Sequence, residues 1–312
     1  MADWGICTTV LAPVEQVLAF VAHHRGLGAS RIWLFFDDPY DPAFEAVQGI
    51  TGVTATRCDS AYWSGISKTR PDPHQTRQSR NMRRVYDLAN QPWVAHLDVD
   101  EFLHPVRPIA QILDEVPEDQ ILLRVAPWEA LHGPGLPDDI STAQHFRAAL
   151  KGDALAEVRD HAFGPYAPML QDGVLSHAAG KCFFQRGFAG LRPRLHGAFL
   201  GGERVKGGLF HQQIALLHFH ANDPENWKRR LQFRLTKGAY QFNPTLQAYL
   251  LTATVAEIDA FYKVVQQPHP DVLAYLASKG LLISTALNLR SKVATLIGEM
   301  QNMGKSKRDR AN

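Results

Sequence analysis

The chain has 312 residues, of which 45% are hydrophobic and 21% charged, and its net charge is +2. These values describe an ordinary globular protein with a sizeable core, either one large domain or a domain with an appendage. They exclude a disordered acidic chain and argue against a dedicated nucleic-acid binder. Three widely spaced cysteines, Cys7, Cys58 and Cys182, form no CxxC pair and fit a reducing compartment better than a disulfide framework.

The N-terminal stretch lacks a basic n-region, and Pro13 and Glu15 interrupt its apolar run, so it reads as no signal peptide. "WGICTTVL" predicts a first strand, rich in β-branched residues. Pro13 opens a helix whose Val14, Val17, Leu18 and Val21 share a face, and Gly26 or Gly28 ends it. "RIWLFFDD" is a buried strand ending in Asp37 and Asp38, "PAFEAVQGI" a short helix, and "VTATRC" a third strand. That order, βαβαβ, is the pattern of a parallel sheet flanked by helices.

Residues 64–74 form a polar loop containing prolines, and "QTRQSRNMRRVYDLANQ" a helix with Met82, Val85, Tyr86 and Ala89 inward and its arginines outward. "PWVAHLDVDEFL" is the fourth strand, followed by the helix "PIAQILDEV" and the strand "QILLRVAPW". From 132 to 175 the pattern weakens, with a helix expected near 142–157. "GKCFFQRG" and "QIALLHFHA" read as strands. A helix over 223–240 has Asp223 as N-cap and Pro224 at its first position, and 245–300 is helical. The tail "GKSKRDRAN" is basic and polar; it reads as disordered, with weak attraction to an anionic membrane surface as the minor alternative. No apolar run approaches the roughly 20 residues of a membrane span. The expected location is cytoplasmic, peripheral at the inner face of the membrane at most.

The fourth strand poses the chemical question, because it runs straight into Asp98, Asp100 and Glu101. Like charges so close repel, and their burial requires a compensating cation. Open α/β sheets bind ligands at the carboxyl ends of their strands, where these acids fall. A hard divalent ion such as Mn²⁺ or Mg²⁺ accepts carboxylate oxygens and keeps positions open for phosphate oxygens. Such an ion would neutralise charge developing on a diphosphate leaving group. The bland alternative is a solvated acidic turn.

Several segments resemble the glycosyltransferase family 2-like group. "FVAHHRGLGASRIWLFFDD" resembles its opening helix and acidic-ended strand, and "RQSRNMRRVYDLANQPWVAHLDVDEFL" its helix followed by Trp and a DxDEF strand. "GKCFFQRG", "LHG" and "LLHFHANDPENWKRRLQFRLTKGAY" resemble its Lys-bearing strand, its His, and its His-aromatic strand with the following helix. The resemblance covers about residues 5–240, discontinuously. It implies a GT-A fold: α/β, Rossmann-like, a mostly parallel central sheet flanked by helices, here with a C-terminal helical extension. The implied layout is a transferase domain over 1–240 (donor half about 1–105, acceptor half about 106–240), an extension over 241–300 and a flexible basic tail over 301–312.

The resemblance also implies a nucleoside-diphosphate sugar donor (UDP- or GDP-linked), a carbohydrate or glycolipid acceptor, and Mn²⁺ or Mg²⁺. Carried over by position, Asp98 approaches the donor's ribose or sugar and is also a candidate metal ligand, and Asp100 binds the metal, joined by His218, with His220 a second candidate on the same face of an extended segment. Asp37 and Asp38 match the nucleotide-contacting strand end, although an Asx turn fits "DDPYDP" nearly as well. Lys181 and His196 are further donor contacts. In the basic stretch from Lys68 to Arg84, a solvated helix face competes with counter-charges for a diphosphate, and Arg77 is the first choice among them. An inverting reaction needs a carboxylate base, for which Glu129 and Glu101 are candidates; a retaining one does not. One departure stands out: Ala12-Pro13 occupies the place of the group's Asn-Glu after the first strand. The competing readings are a non-catalytic nucleotide or carbohydrate binder and, less well matched, a metal-dependent phosphatase suggested by "LDVDEF".

Overall fold

The computed structural model describes residues 1–133, 140–150, 154–205, 207–221 and 223–309, with backbone alone for 154–155 and 303–309. The chain opens with β1 (Trp4–Val10), α1 (Val14–Gly26), β2 (Arg31–Phe36), α2 (Ala43–Val47) and β3 (Val53–Arg57), the expected βαβαβ order. Next come α3 (Ser60–Ser67), α4 (His74–Leu88), β4 (Trp93–His96), β5 (Glu101–Pro105), α5 (Ile109–Asp114) and β6 (Leu122–Leu131). Then follow β7 (His145–Ala148), α6 (Ala154–Phe163), β8 (Lys181–Gln185), β9 (Arg192–Arg194), β10 (Gly197–Leu200), β11 (Glu203–Arg204) and β12 (Phe210–His218). The last stretch holds α7 (Pro224–Arg229), α8 (Leu231–Thr236), α9 (Pro244–Thr252), α10 (Val255–Gln266), α11 (Pro270–Ser278), β13 (Leu282–Ser284) and α12 (Leu289–Asp309).

The fold is α/β, with a central sheet flanked by helices. Two compact units divide the chain: Met1–Val125, Gly180–Leu216 and Asn288–Asn312 form the first, and Ala126–Ala179 with Leu217–Leu287 the second. In the first unit β3, β2, β1 and β4 lie side by side and parallel. β8 then adds antiparallel to β4, and Leu122–Val125 of β6 antiparallel to β8. The antiparallel additions answer to connections that pass through the other unit, which no local pattern announces. A buried cluster including Cys7, Trp63, Met82, Val85, Val94, Cys182 and Phe184 packs α3 and α4 on one sheet face. All three cysteines are buried and free, and burial pushes the Cys58 and Cys182 thiols up to about 12. In the second unit β6, β7 and β13 pair antiparallel. Its core gathers Phe163, Leu170, Trp227, Tyr240, Leu250, Phe261 and Val265.

Several expectations require correction. The segment read as a helix near 142–157 is β7 followed by a helix that starts only at Ala154. "SAYWSGIS", partly assigned to loop, is α3, because Asp59 caps it by accepting from the Tyr62 N–H. The helix over 223–240 is two short ones, divided at Arg230, although Asp223 caps the first as expected. The helical 245–300 span contains β13, and α12 belongs to the first unit. The backbone of 301–309 continues α12, while 310–312 lie outside the described residues, as does much of "HGPGLPDD". Among the described residues no helix is long and apolar enough to cross a membrane.

The His-His pair ending α1 has a structural role. His23 Nε2 donates to the Leu103 carbonyl (2.8 Å), and His24 Nε2 accepts from the Leu103 N–H (3.3 Å) while its Nδ1 donates to Phe20. Both backbone polar groups of one β5 residue are thus held by α1. Lys292 of α12 donates to His23 Nδ1 at 3.0 Å. Burial, reinforced by Lys292, pushes His23 down to about 3, and burial lowers His24 as well. Both depressed values favour the fold at neutral pH. The unfolded chain takes up these protons from about 6.5 downward, so stability falls as pH drops from there toward 3. For His23 alone the loss at pH 5 is about 2 kcal/mol. Urea midpoints measured between pH 7.5 and 4.5 should show this slope, and His23→Gln should flatten it.

The acidic turn as candidate functional site

The expected fourth strand is interrupted at the acids: β4 stops at His96, and Leu97–Asp100 turn before β5 begins at Glu101. The turn closes on itself. Glu101 N–H donates to the Asp98 carbonyl at 3.0 Å, and Glu101 Oε2 accepts from the Asp98 N–H at 2.8 Å. Glu101 is fully buried, whereas the Asp98 side chain keeps 30% of its exposure.

Against these acids, where the sequence points to a divalent ion, stands Lys181, which the resemblance places among the donor contacts. Its side chain is 1% exposed, and its ammonium lies 2.6 Å from Asp98 Oδ2 and 3.3 Å from Glu101 Oε2. Burial alone would push Lys181 down, but Asp98 and Glu101 outweigh it and hold the ammonium above its ordinary value. Burial raises Glu101 to about 8, against the opposing pull of Lys181. Lys181 arrives there because β8 pairs with β4 on one side and β6 on the other, with Val125 its partner. Gly180 makes the approach possible: at φ +65 it enters β8 where a Cβ would lie 2.1 Å from the Val125 carbonyl oxygen. His196 Nδ1 donates to the Gly180 carbonyl at 2.7 Å, so it braces this approach.

The second Asp98 oxygen is also engaged, accepting from Gln78 Nε2 at 2.6 Å. Arg77, next on α4, is buried and meets Asp37 through Nε and Nη2, both at 2.7 Å. Its Nη1 donates to the Pro71 and Asp72 carbonyls, and Arg70 adds a 2.9 Å contact to Asp37. In this structure the Arg77 guanidinium clamps Asp37 and the loop before α4. Asp38 accepts from the Tyr40 N–H at 2.9 Å, the Asx turn that the sequence left open. Asn81 Nδ2 donates to Thr9 Oγ1 at 2.8 Å and is itself reached by Tyr62.

Glu129, His218 and His220 belong to the second unit. Glu129 stands directly across from Arg147 in the β6–β7 register and pairs with it at 2.6 Å, both side chains buried. Its carboxylate also accepts from the Leu175 and Ser176 amides and from Gln266 Nε2. Burial alone pushes the carboxyl up, but Arg147 and the two amides outweigh it and hold it below its ordinary value. A carboxylate saturated with donors and sealed from solvent is a poor base. Glu101 is likewise buried, with one oxygen committed to the turn, and has no open path to an acceptor hydroxyl.

His218 ends β12, its ring 5.9 Å from that of His177 and 5.3 Å from that of His220. Arg234 Nη1 lies 2.9 Å from His220 Nδ1 and closer still to Nε2, and the Tyr240 hydroxyl is 3.0 Å from Nε2. Burial and then Arg234 drive the His220 pKa well down. His220 is thus packed between Arg234 and Tyr240. Among the described residues no three His, Cys, Asp or Glu side chains converge in a geometry that would hold a metal ion. The carboxylates of the turn have the chemistry for a hard cation, but both Asp98 oxygens already have protein partners.

Gln78, Asn81 and Arg147 were not anticipated. The spacing of Arg77, Gln78 and Asn81 on one predicted helix was the available signal for the first two, and apolar alternation around Arg147 for the third.

No protein-family model matches the chain, and no curated protein is similar to it. Among solved structures it is similar to a CMP:2-keto-3-deoxy-manno-octonic acid synthetase complexed with CTP, with 16% identity and a TM-score of 0.26. That match covers 41% of this chain and 53% of the other, so the chain matches about half that enzyme's length. It is also similar to HddC from Yersinia pseudotuberculosis, with 11% identity, a TM-score of 0.32, and coverage of 75% and 99%. Likenesses at this level identify no activity.

Proposed function

We propose that this chain is a glycosyltransferase that moves a sugar from a nucleoside-diphosphate donor to a hydroxyl acceptor, carbohydrate or glycolipid. The observation that carries the reading is the acidic turn: a partly exposed aspartate, held by Gln78 and Lys181, at the carboxyl end of a strand beside β1 in a parallel sheet. Asp98 serves there as a fixed acceptor for donor hydroxyls, and Asp100 as the carboxylate for a divalent ion. Bound there, Mn²⁺ or Mg²⁺ supplies charge neutralisation for the leaving diphosphate. Lys181 prevents the three acids from repelling one another before any ligand arrives. Neither Glu129 nor Glu101 is assigned as base.

The reading predicts slow, Mn²⁺-dependent release of UDP or GDP from a nucleotide sugar, reduced about 100-fold or more in Asp100→Ala. Nucleoside diphosphates with Mn²⁺ should also raise the melting temperature. A panel of nucleotide sugars giving neither binding nor metal-dependent turnover sinks the proposal. A non-catalytic nucleotide or carbohydrate binder is the second reading. It is favoured by the double engagement of Asp98 and by Ala12-Pro13, and it predicts the thermal shift without the release. The phosphatase alternative needs a nucleophilic aspartate with an unencumbered oxygen, which Asp98 does not offer.

A further inference from the structure

Three side chains of α4 reach the carboxyl ends of three different strands. Arg77 holds Asp37 just beyond β2, Asn81 holds Thr9 of β1, and Gln78 holds Asp98 just beyond β4. Their order around the helix matches the order of the strands. With about 100° per residue, Asn81 lies about 40° and Gln78 about 100° round from Arg77. The strands run β2, β1, β4 in the same sense, spanning about 10 Å across two strand spacings. α4 is therefore in register with the sheet edge, and the sequence Arg-Gln-x-x-Asn is the signature of that register.

We propose that Gln78 is a positioning residue for the acidic turn: it orients the Asp98 carboxylate from the α4 side while Lys181 holds it from β8. This rests on the reading of the turn as the donor-binding edge. Two donors, one on each oxygen, fix the carboxylate plane, whereas an ammonium is a point charge that sets no orientation about itself. Asp98 is consequently presented in one orientation, and the turn behind it is stiffened through the Asp98–Glu101 bonds.

The test compares Gln78→Leu with Arg80→Ala, an exposed position on the same helix. Hydrogen exchange of the segment 97–103, followed by mass spectrometry, reads the clamp without any ligand. It should quicken about tenfold in Gln78→Leu and stay at the wild-type rate in Arg80→Ala. In donor hydrolysis Gln78→Leu should lose about 10- to 100-fold in kcat with KM within about threefold, a split that a general loss of fold does not produce. Unchanged exchange in Gln78→Leu overturns the proposal whatever the donor assay gives, as does unchanged kcat in an active enzyme. Quickened exchange in a protein that turns over no nucleotide sugar leaves Gln78 as the clamp and removes the transferase reading instead.

Discussion

Glu129→Ala is expected to lower the unfolding free energy by about 3–5 kcal/mol. The size of the effect follows from what the substitution strands. Arg147 would keep its buried guanidinium with no counter-charge, and the amides of Leu175 and Ser176 and the side chain of Gln266 would each lose an acceptor. Glu129→Gln keeps the volume but turns an N–H toward Arg147, so it should still cost about 2–3 kcal/mol. Glu129→Leu combined with Arg147→Met should recover much of the loss, since an apolar pair of similar volume needs no compensation. The wild-type pair also adds acid lability. The folded pKa lies below the ordinary 4.5, so the stabilisation is complete above that value and disappears as pH falls beneath it. Urea unfolding of the four proteins measures all of this. A Glu129→Gln variant with a wild-type midpoint but a collapsed kcat would restore Glu129 as a base and refute the structural assignment.

The contrast between Glu129 and the acidic turn shows what was legible in the sequence. The βαβαβ half could be read because its signals are local: apolar runs, Pro13 before α1, and a strand ending in Asp37 and Asp38. That Asp98, Asp100 and Glu101 fall at a carboxyl edge was legible for the same reason. The identity of their counter-charge was not, because Lys181 is 83 residues from Asp98 and reaches it through an antiparallel strand. Arg147 sits opposite Glu129 by cross-strand register, in a segment whose alternation was too short to distinguish from a helix. The family resemblance placed Lys181 among ligand contacts, the basic stretch suggested Arg77, and strand periodicity added His220; none of these signals records whether a neighbour already occupies the side chain. Each of the three is occupied, by Asp37, by Asp98 and by Arg234.

Lys181→Met is expected to cost about 3–5 kcal/mol at alkaline pH, because it leaves Glu101 buried beside Asp98 with no cation between them. The penalty should be smaller at pH 6. Glu101 has a folded pKa raised to about 8 even with Lys181 present, so its contribution favours the fold at low pH and is lost as pH rises through that value. Without Lys181 the carboxyl rises further and relieves the repulsion by keeping its proton at neutral pH. Glu101→Gln in the Lys181→Met background removes the buried charge yet keeps an oxygen for the Asp98 N–H, and should return about 1–3 kcal/mol at pH 8.5. Equal losses at pH 6 and pH 9, or a double variant no better than the single, would show that packing rather than charge sets the effect. The same variant tests how many cations the turn accommodates. With the ammonium gone, Mn²⁺ alone should raise the melting temperature of Lys181→Met more than that of the wild type, since an ion meets two uncompensated carboxylates there. An equal rise in both proteins would place the ion away from Lys181, on the Asp100 side of the turn.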